Sequence, residues 1–319
     1  MFKVTRSFWR RQTFTYHPVI GWWFIPNLTA RIPHADTFYL LRTNASGMRS
    51  DRDYPVKQPP KRKRILLLGD SYTAGDGVSN GERYSDLLEK RYPSLDVMNF
   101  ALPNTGTDQQ VLIYESIARS FEADAYVFAV LVENIARNGQ TCRPSWDYRE
   151  QSVVYRPKPY FELQDNGIVL YNQPVPLEKR AEKNLGDWRC DFPYLKEFPT
   201  DPYAVYRFES GTLWQLMRRI LERFMSQIDN KPIFIMPLPL YNFFIDGLTP
   251  TYIERFKSLE DKSRNRFVLD VLPSLLKLSA AERQLCRFPN DPHYTALAHR
   301  VVADALADNL SKLSPGLLA

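Results

Sequence analysis

A three-layer αβα domain built on a parallel sheet is the fold this sequence predicts, on three observations. Short runs that are apolar on both faces, RILLLG (64–69), LDVMNFA (95–101) and DAYVFAVLV (124–132), alternate with longer amphipathic stretches. Fully apolar strands separated by helices belong to a parallel sheet covered on both faces. The chain of 319 residues, 44% hydrophobic and 24% charged, is long enough for a full core and is neither disordered nor fibrous.

The elements follow in order. Residues 14–55, rich in aromatics, Pro and Asn, predict short strands and turns. Residues 1–60 are therefore expected to form an N-terminal extension packed on a main domain at 61–319. The basic run KRKR (61–64) has the composition of a localisation or nucleic-acid tag, but it abuts an apolar strand and is read as the solvated entry to that strand. After the first strand, ERYSDLLEKRY (82–92) predicts a helix stopped by Pro93. Thr107 and Asp108 are placed to cap a helix over 109–121, their side-chain oxygens accepting orphan amide hydrogens. The rhythm breaks at 139–205, an aromatic- and Pro-rich insertion with a hairpin at YFELQDNGIVLYN (160–172) turning at Asp165-Asn166-Gly167. It resumes with a helix at 211–228, a strand at 232–238, a helix at 249–262, a strand at 266–272 and a terminal helix near 294–312.

Composition narrows the function classes. Lys and Arg number 42 against 36 Asp and Glu, a formal charge of +6 spread along the chain, so no nucleic-acid partner is expected. No apolar run approaches the roughly 20 residues that span a bilayer. The opening MFKVTRSFWRRQTF has no apolar core or small-residue cleavage site, so no standard secretory signal is expected and the cytoplasm is the expected location. Its Arg and aromatic residues favour, at most, weak association with an anionic membrane surface. Cys142, Cys190 and Cys286 are read as buried thiols; a Cys142–Cys190 bridge requires the insertion to fold back in an oxidising compartment. Four histidines without metal-site spacing predict no zinc, and no cofactor is expected.

In an open parallel sheet, ligands bind beyond the carboxyl ends of the strands. The residues there are Gly69-Asp70-Ser71 after the first strand, Asn104 to Asp108 after the second and Glu133-Asn134 after the third. Asn290-Asp291-Pro292-His293 precedes the terminal helix. A serine hydroxyl needs a base to become nucleophilic, and His293 is the candidate. Asp291, one residue away across a proline, can fix the imidazole tautomer and complete a triad.

These blocks, GDSYTAGDGV (69–78), NFALPNTGTDQ (99–109), VENIARN (132–138) and DPHYTALAH (291–299), occur in order at strand ends. Together they resemble the SGNH hydrolases, or GDSL esterases, over most of 64–312. TNASGMRSDRDY (43–54) resembles the lead-in of a bacterial subgroup associated with polysaccharide loci. The resemblance implies a flavodoxin-like fold, Ser71 as nucleophile, His293 as base and then acid, and Asp291 as orienter. It also implies an oxyanion hole from the Ser71 and Asn104 backbone amides and the Asn134 side chain.

Three departures stand out. Asn104 replaces the usual glycine, so its side chain is expected to crowd or reshape the hole. Glu133-Asn134 stands where Asn-Asp is common; ionised Glu133 cannot donate, which leaves the role to Asn134. Asp291-Pro292-His293 is one residue shorter than the commonest spacing.

Competing readings are bland ones. Ser71 alone would be a turn hydroxyl capping a helix, Asp70 a hydrogen-bonding support, and His17, His34 and His299 packing residues. Asp76, Asp108 and Asn138 are read as caps. Arg137 or Arg143 is read as a surface residue or a contact for an anionic substrate, and Trp146 or Trp188 as packing or as a sugar platform. The expected function is a serine esterase removing an acyl group, most simply acetyl, from a carbohydrate or small polar ester. The alternatives are O-acyl transfer to a glycan and a silent binding protein of the same fold.

Overall fold

The structure, a computed structural model, describes residues 13–35, 37–147, 152–165, 167–176 and 203–318. Its centre is a five-stranded sheet of β1 (Lys63–Leu68), β2 (Leu95–Asn99), β3 (Ala125–Leu131), β4 (Ile233–Leu238) and β5 (Arg266–Val268). All pairings are parallel and the spatial order is β5-β4-β3-β1-β2. β3 and β4 are buried along their whole length, which explains why these runs show no polar alternation.

The helices that position the candidate site are α1 (Ser71–Ala74), α2 (Tyr84–Arg91), α3 (Thr107–Ser116), α4 (Asn134–Arg137) and α5 (Thr212–Met225). α2 packs with the C-terminal helix Ala296–Leu313, and α3 packs with α5. The chain runs from β1 outward to β2, then crosses back to β3 on the other side of β1. Connections leaving β1 and β3 therefore diverge, and a crevice opens at the carboxyl ends of these two neighbours.

Several boundaries differ from the sequence expectation. Gly106, not Thr107 or Asp108, is the N-cap of α3, with its N–H donating to Gln109 Oε1 at 3.2 Å. The helix expected over 249–262 is confined to Tyr252–Lys257. The strand expected to reach 272 stops at Val268, because Asp270 Oδ1 takes the Leu272 N–H at 3.0 Å and starts the helix Leu272–Leu276. Asp291–Tyr294 is a short strand paired antiparallel with Arg287–Phe288. The insertion carries two hairpins among the described residues: Cys142–Asp147 with Ser152–Pro157, which was not expected, and Tyr160–Gln164 with Gly167–Tyr171.

Two chemical expectations are also corrected. Cys142 is disulfide-bonded rather than a thiol; Cys286 is a free buried thiol, and Cys190 lies outside the described residues. Within the basic run, Arg64 is fully buried and pairs with Asp96 Oδ2 at 3.4 Å, so its charge is internal and not solvated. No helix among the described residues is long and apolar enough to cross a membrane.

The residues before β1 form two hairpins, Phe14–His17 with Gly21–Phe24 and Thr29–Pro33 with Phe38–Arg42. Trp22, Trp23, Phe24 and Leu41 join the same apolar core as the sheet. Arg49, 1% exposed, is the polar seam. Its Nη1 donates to the carbonyls of Ala74 and Gly75 at 2.6 and 2.7 Å, and its Nη2 donates to that of Val78. The carbonyls of Ala74 and Gly75 lie at the end of α1, where Gly75 turns left-handed at φ 82°. A buried guanidinium is tolerated there because the carbonyl end of a helix is electronegative.

Arg49→Met is expected to cost about 3 kcal/mol or more, since it orphans several buried acceptors. Arg219→Met, at a half-exposed site, is expected to stay within about 0.5 kcal/mol. Urea unfolding of both variants checks the contrast.

Candidate active site

α1 starts directly after β1, and its tightness is set by Gly69 and Asp70. A Cβ on Gly69 would lie 2.3 Å from Thr73 Oγ1, so only glycine lets the chain turn here. Asp70 caps the helix, its Oδ1 accepting from Tyr72 N at 3.1 Å. The first helical turn leaves the Ser71 N–H without an intrahelical acceptor. Ser71 is 5% exposed, with His293 from the Asp291–Tyr294 strand lying against it.

That strand is held in two ways. Asp291 Oδ1 accepts from its own turn, from His293 N at 2.8 Å, an aspartate turn across Pro292. Tyr72 donates its hydroxyl to the Pro292 carbonyl at 2.9 Å, and its ring lies 4.8 Å from that of His293. With the backbone fixed, His293 Nδ1 is 2.6 Å from Asp291 Oδ1 and Nε2 is 2.8 Å from Ser71 Oγ. Ser71 and His293, 222 positions apart in sequence, are thus joined to Asp291 in one chain of hydrogen bonds.

The electrostatics follow from that chain. Burial disfavours the His293 cation, but the hydrogen bond that its Nδ1–H donates to Asp291 and the charges of Asp76, Asp291 and Asp70 outweigh it and raise the imidazole above 6.5. Burial likewise opposes the Asp291 anion, and the His293 bonds overcome it, drawing the carboxyl down to about 2.

The two asparagines differ in how they are held. Asn134 is fully buried at the start of α4, and both atoms of its carboxamide lack a hydrogen-bond partner. Leaving a buried amide without partners is costly in a folded protein. Glu133, next to it, is half exposed. Asn104 adopts φ 65°, a left-handed conformation that asparagine tolerates better than most residues. Its side chain does not crowd the site: Nδ2 donates to the Pro144 carbonyl at 2.8 Å, and Oδ1 accepts from Arg143 Nε at 3.1 Å.

Arg143 is therefore spent on Asn104 and on Gln140. Arg137 bonds Asp70 Oδ2 and the Thr105 carbonyl, each at 3.2 Å. Neither is the free surface arginine that the sequence suggested. Asp108 pairs inside the protein with Lys158, both fully buried, and Asn138 Oδ1 accepts from Asp108 N at 3.2 Å. Asp76 lies 3.4 Å from the Tyr39 hydroxyl. His299 is buried with Nδ1 accepting from Tyr84 N at 3.3 Å, and burial drives its imidazole down to about 3. The side chain of Trp146 and the whole of Trp188 lie outside the described residues.

One neighbour was missed. His34, from the turn between Thr29–Pro33 and Phe38–Arg42, lies with Nε2 3.4 Å from Asp291 Oδ1. Its partner Asp291 is far away in sequence, and nothing in the local pattern of His34 marks it. His34, Asp291 and His293 gather ligand atoms within 4.8 Å, and they are the only such group among the described residues. The short Asp291–His293 hydrogen bond already accounts for two of the three.

No family model and no curated protein matches this chain. Solved structures do resemble it. A member of the lipolytic G-D-S-L family from Veillonella parvula aligns over 78% of this chain and 99% of its own, at 12% identity and a TM-score of 0.46. A lipase from a goat rumen metagenome aligns over 77% and 96%, at 12% identity and 0.45. The lipase/acylhydrolase from Enterococcus faecalis aligns over 78% and 96%, at 12% identity and 0.44.

The left-handed turn at Asn104 has a measurable signature. Asn104→Ala and Asn104→Gly lose the same side-chain bonds, but only alanine keeps the steric penalty. The alanine variant is expected to be about 1 kcal/mol less stable than the glycine variant, as read from denaturant melts.

Proposed function

We propose that this protein is a serine ester hydrolase of the SGNH type that works through an acyl-enzyme. The observation that carries the reading is the hydrogen-bond chain Ser71 Oγ to His293 Nε2 to Asp291, at 2.8 and 2.6 Å. Asp291 accepts from Nδ1–H, which leaves Nε2 free to receive the serine proton. Ser71 attacks the acyl carbon as His293 takes that proton. The negative oxygen of the tetrahedral intermediate is met by the Ser71 and Asn104 backbone amides and by Asn134 Nδ2. A donor of this kind is typically worth about 3–4 kcal/mol in the transition state. The unpartnered carboxamide of Asn134 supports this role, because its bond forms only when the oxyanion does. His293 then protonates the leaving alkoxide, and a water activated by the same imidazole releases the acid.

The near-complete enclosure of Ser71 supports a small acyl group, most simply acetyl. The alcohol is proposed as a carbohydrate or similar polar hydroxyl, on the resemblance of residues 43–54. The disulfide at Cys142 favours an oxidising compartment over the cytoplasm.

A panel of p-nitrophenyl esters of increasing acyl length and of acetylated sugars, run on wild type, Ser71→Ala and His293→Ala, tests the reading. Wild type is expected to prefer acetyl and both variants to lose at least about 10⁴-fold in kcat, with nearly unchanged melting temperatures. Wild-type rates in Ser71→Ala would reject the nucleophile.

The base makes a second prediction. His293 must be neutral to act, and its affinity for a proton is raised, so kcat/KM falls with acid along a limb centred above 6.5. Asp291→Asn removes the main stabiliser of the imidazolium, so the limb should move to lower pH while kcat drops. A pH–rate profile of both proteins reads the shift, and a limb that stays in place would exclude Asp291 as the partner.

A further inference from the structure

We propose that Arg137 is the positioning residue of the oxyanion hole, holding its three donor segments in register through one guanidinium. The inference rests on the hydrolase reading and extends it. The donors come from three separate strand ends, and nothing in the parallel sheet alone fixes their mutual distances. Arg137 Nη1 reaches Asp70 Oδ2 at 3.2 Å, one residue before Ser71. The same nitrogen reaches the Thr105 carbonyl at 3.2 Å, one residue after Asn104. Its own backbone ends the short helix α4, which begins at Asn134. One side chain thus ties the segments after β1, β2 and β3 together.

The surroundings leave the clamp no slack. The Arg137 side chain is 10% exposed and Asp70 is fully buried, so solvent cannot substitute for either contact. A Cβ on Gly106 would lie 3.2 Å from Arg137 Cβ and 3.2 Å from Asn138 Oδ1. Glycine at this position lets the second loop press against α4. Asp70 has two tasks, capping α1 through Tyr72 N and receiving Arg137. Movement of the guanidinium is therefore passed to the turn that carries Ser71. Arginine suits the place because its planar fork can address several acceptors at fixed angles, including Glu133 Oε2 at 3.5 Å; a lysine keeps the charge as a single point.

The test compares wild type, Arg137→Lys and Arg137→Met on p-nitrophenyl acetate. It also measures affinity for a boronic acid, which forms a tetrahedral adduct on serine, together with fluorophosphonate labelling and thermal melts. The lysine variant should fold, melt near wild type and still label at Ser71. Its kcat should fall by about 10²-fold, the usual penalty for ångström-scale misplacement, with KM within about threefold of wild type. Boronate affinity should fall by the same factor as kcat/KM. The methionine variant should lose more, with reduced stability. A lysine variant with wild-type kcat, or one whose loss lies wholly in KM, overturns the clamp while leaving the hydrolase reading intact. Wild type that neither labels nor turns over overturns both.

Discussion

Parallel pairing of β1 with β3 is the constraint on which everything else in this molecule depends. It brings the ends of two strands some sixty residues apart in sequence side by side, and it sends their connections to opposite faces. The crevice that results is lined by polypeptide that has just left a fully buried strand. Such backbone is rigid at its root, so a side chain three residues further on inherits a defined position. Ser71 and Asn134 both occupy places of this kind. The candidate pair Asp291 and His293 is added to that scaffold by a short strand that arrives from the far end of the chain and is held by Tyr72.

Much of this was legible in the sequence, and the reason is local. A buried parallel strand must be apolar on both faces, so RILLLG and DAYVFAVLV declare themselves. Gly69 is dictated by a clash with Thr73, four residues on. His293 and Asp291 are two residues apart, which makes their partnership readable without a fold. The weaker elements were hidden by competition between local signals. RFVLDVL has strand composition throughout, yet Asp270 and Pro273 favour a helix start and cut it short.

Long-range contacts were not legible. His34 reaches Asp291 from the turn of a hairpin at the other end of the chain. Arg137 looked like a surface cation because its partners, Asp70 and the Thr105 carbonyl, lie some 67 and 32 positions away. Asn104 raised an expectation of crowding that its neighbours remove. Arg143 and Pro144, from the insertion, draw its side chain aside, and the left-handed turn is one that asparagine accepts. Cys142 was taken for a thiol because its bonding depends on how the insertion closes.

The extension before β1 is more than a cover. Arg49 grips the carbonyls that end α1, and His34 stands beside the Asp291 carboxylate, so both ends of the candidate machinery are braced by residues outside the αβα layers. The arrangement concentrates buried charge around a short helix: Arg49, Asp70 and Arg137 all act within a few residues of Ser71. Each is compensated by carbonyls or by a counter-charge. This is the condition under which buried charge fixes geometry and does not simply destabilise.

The most direct test of the account is to look for the covalent intermediate itself. The protein would be mixed with a slowly hydrolysed ester, quenched in acid during turnover, digested and mapped by mass spectrometry. The account predicts one acyl group, carried on Ser71, that disappears as the ester is exhausted. Turnover at the same rate with Ser71 unmodified throughout, or with the acyl group on another residue, would contradict it.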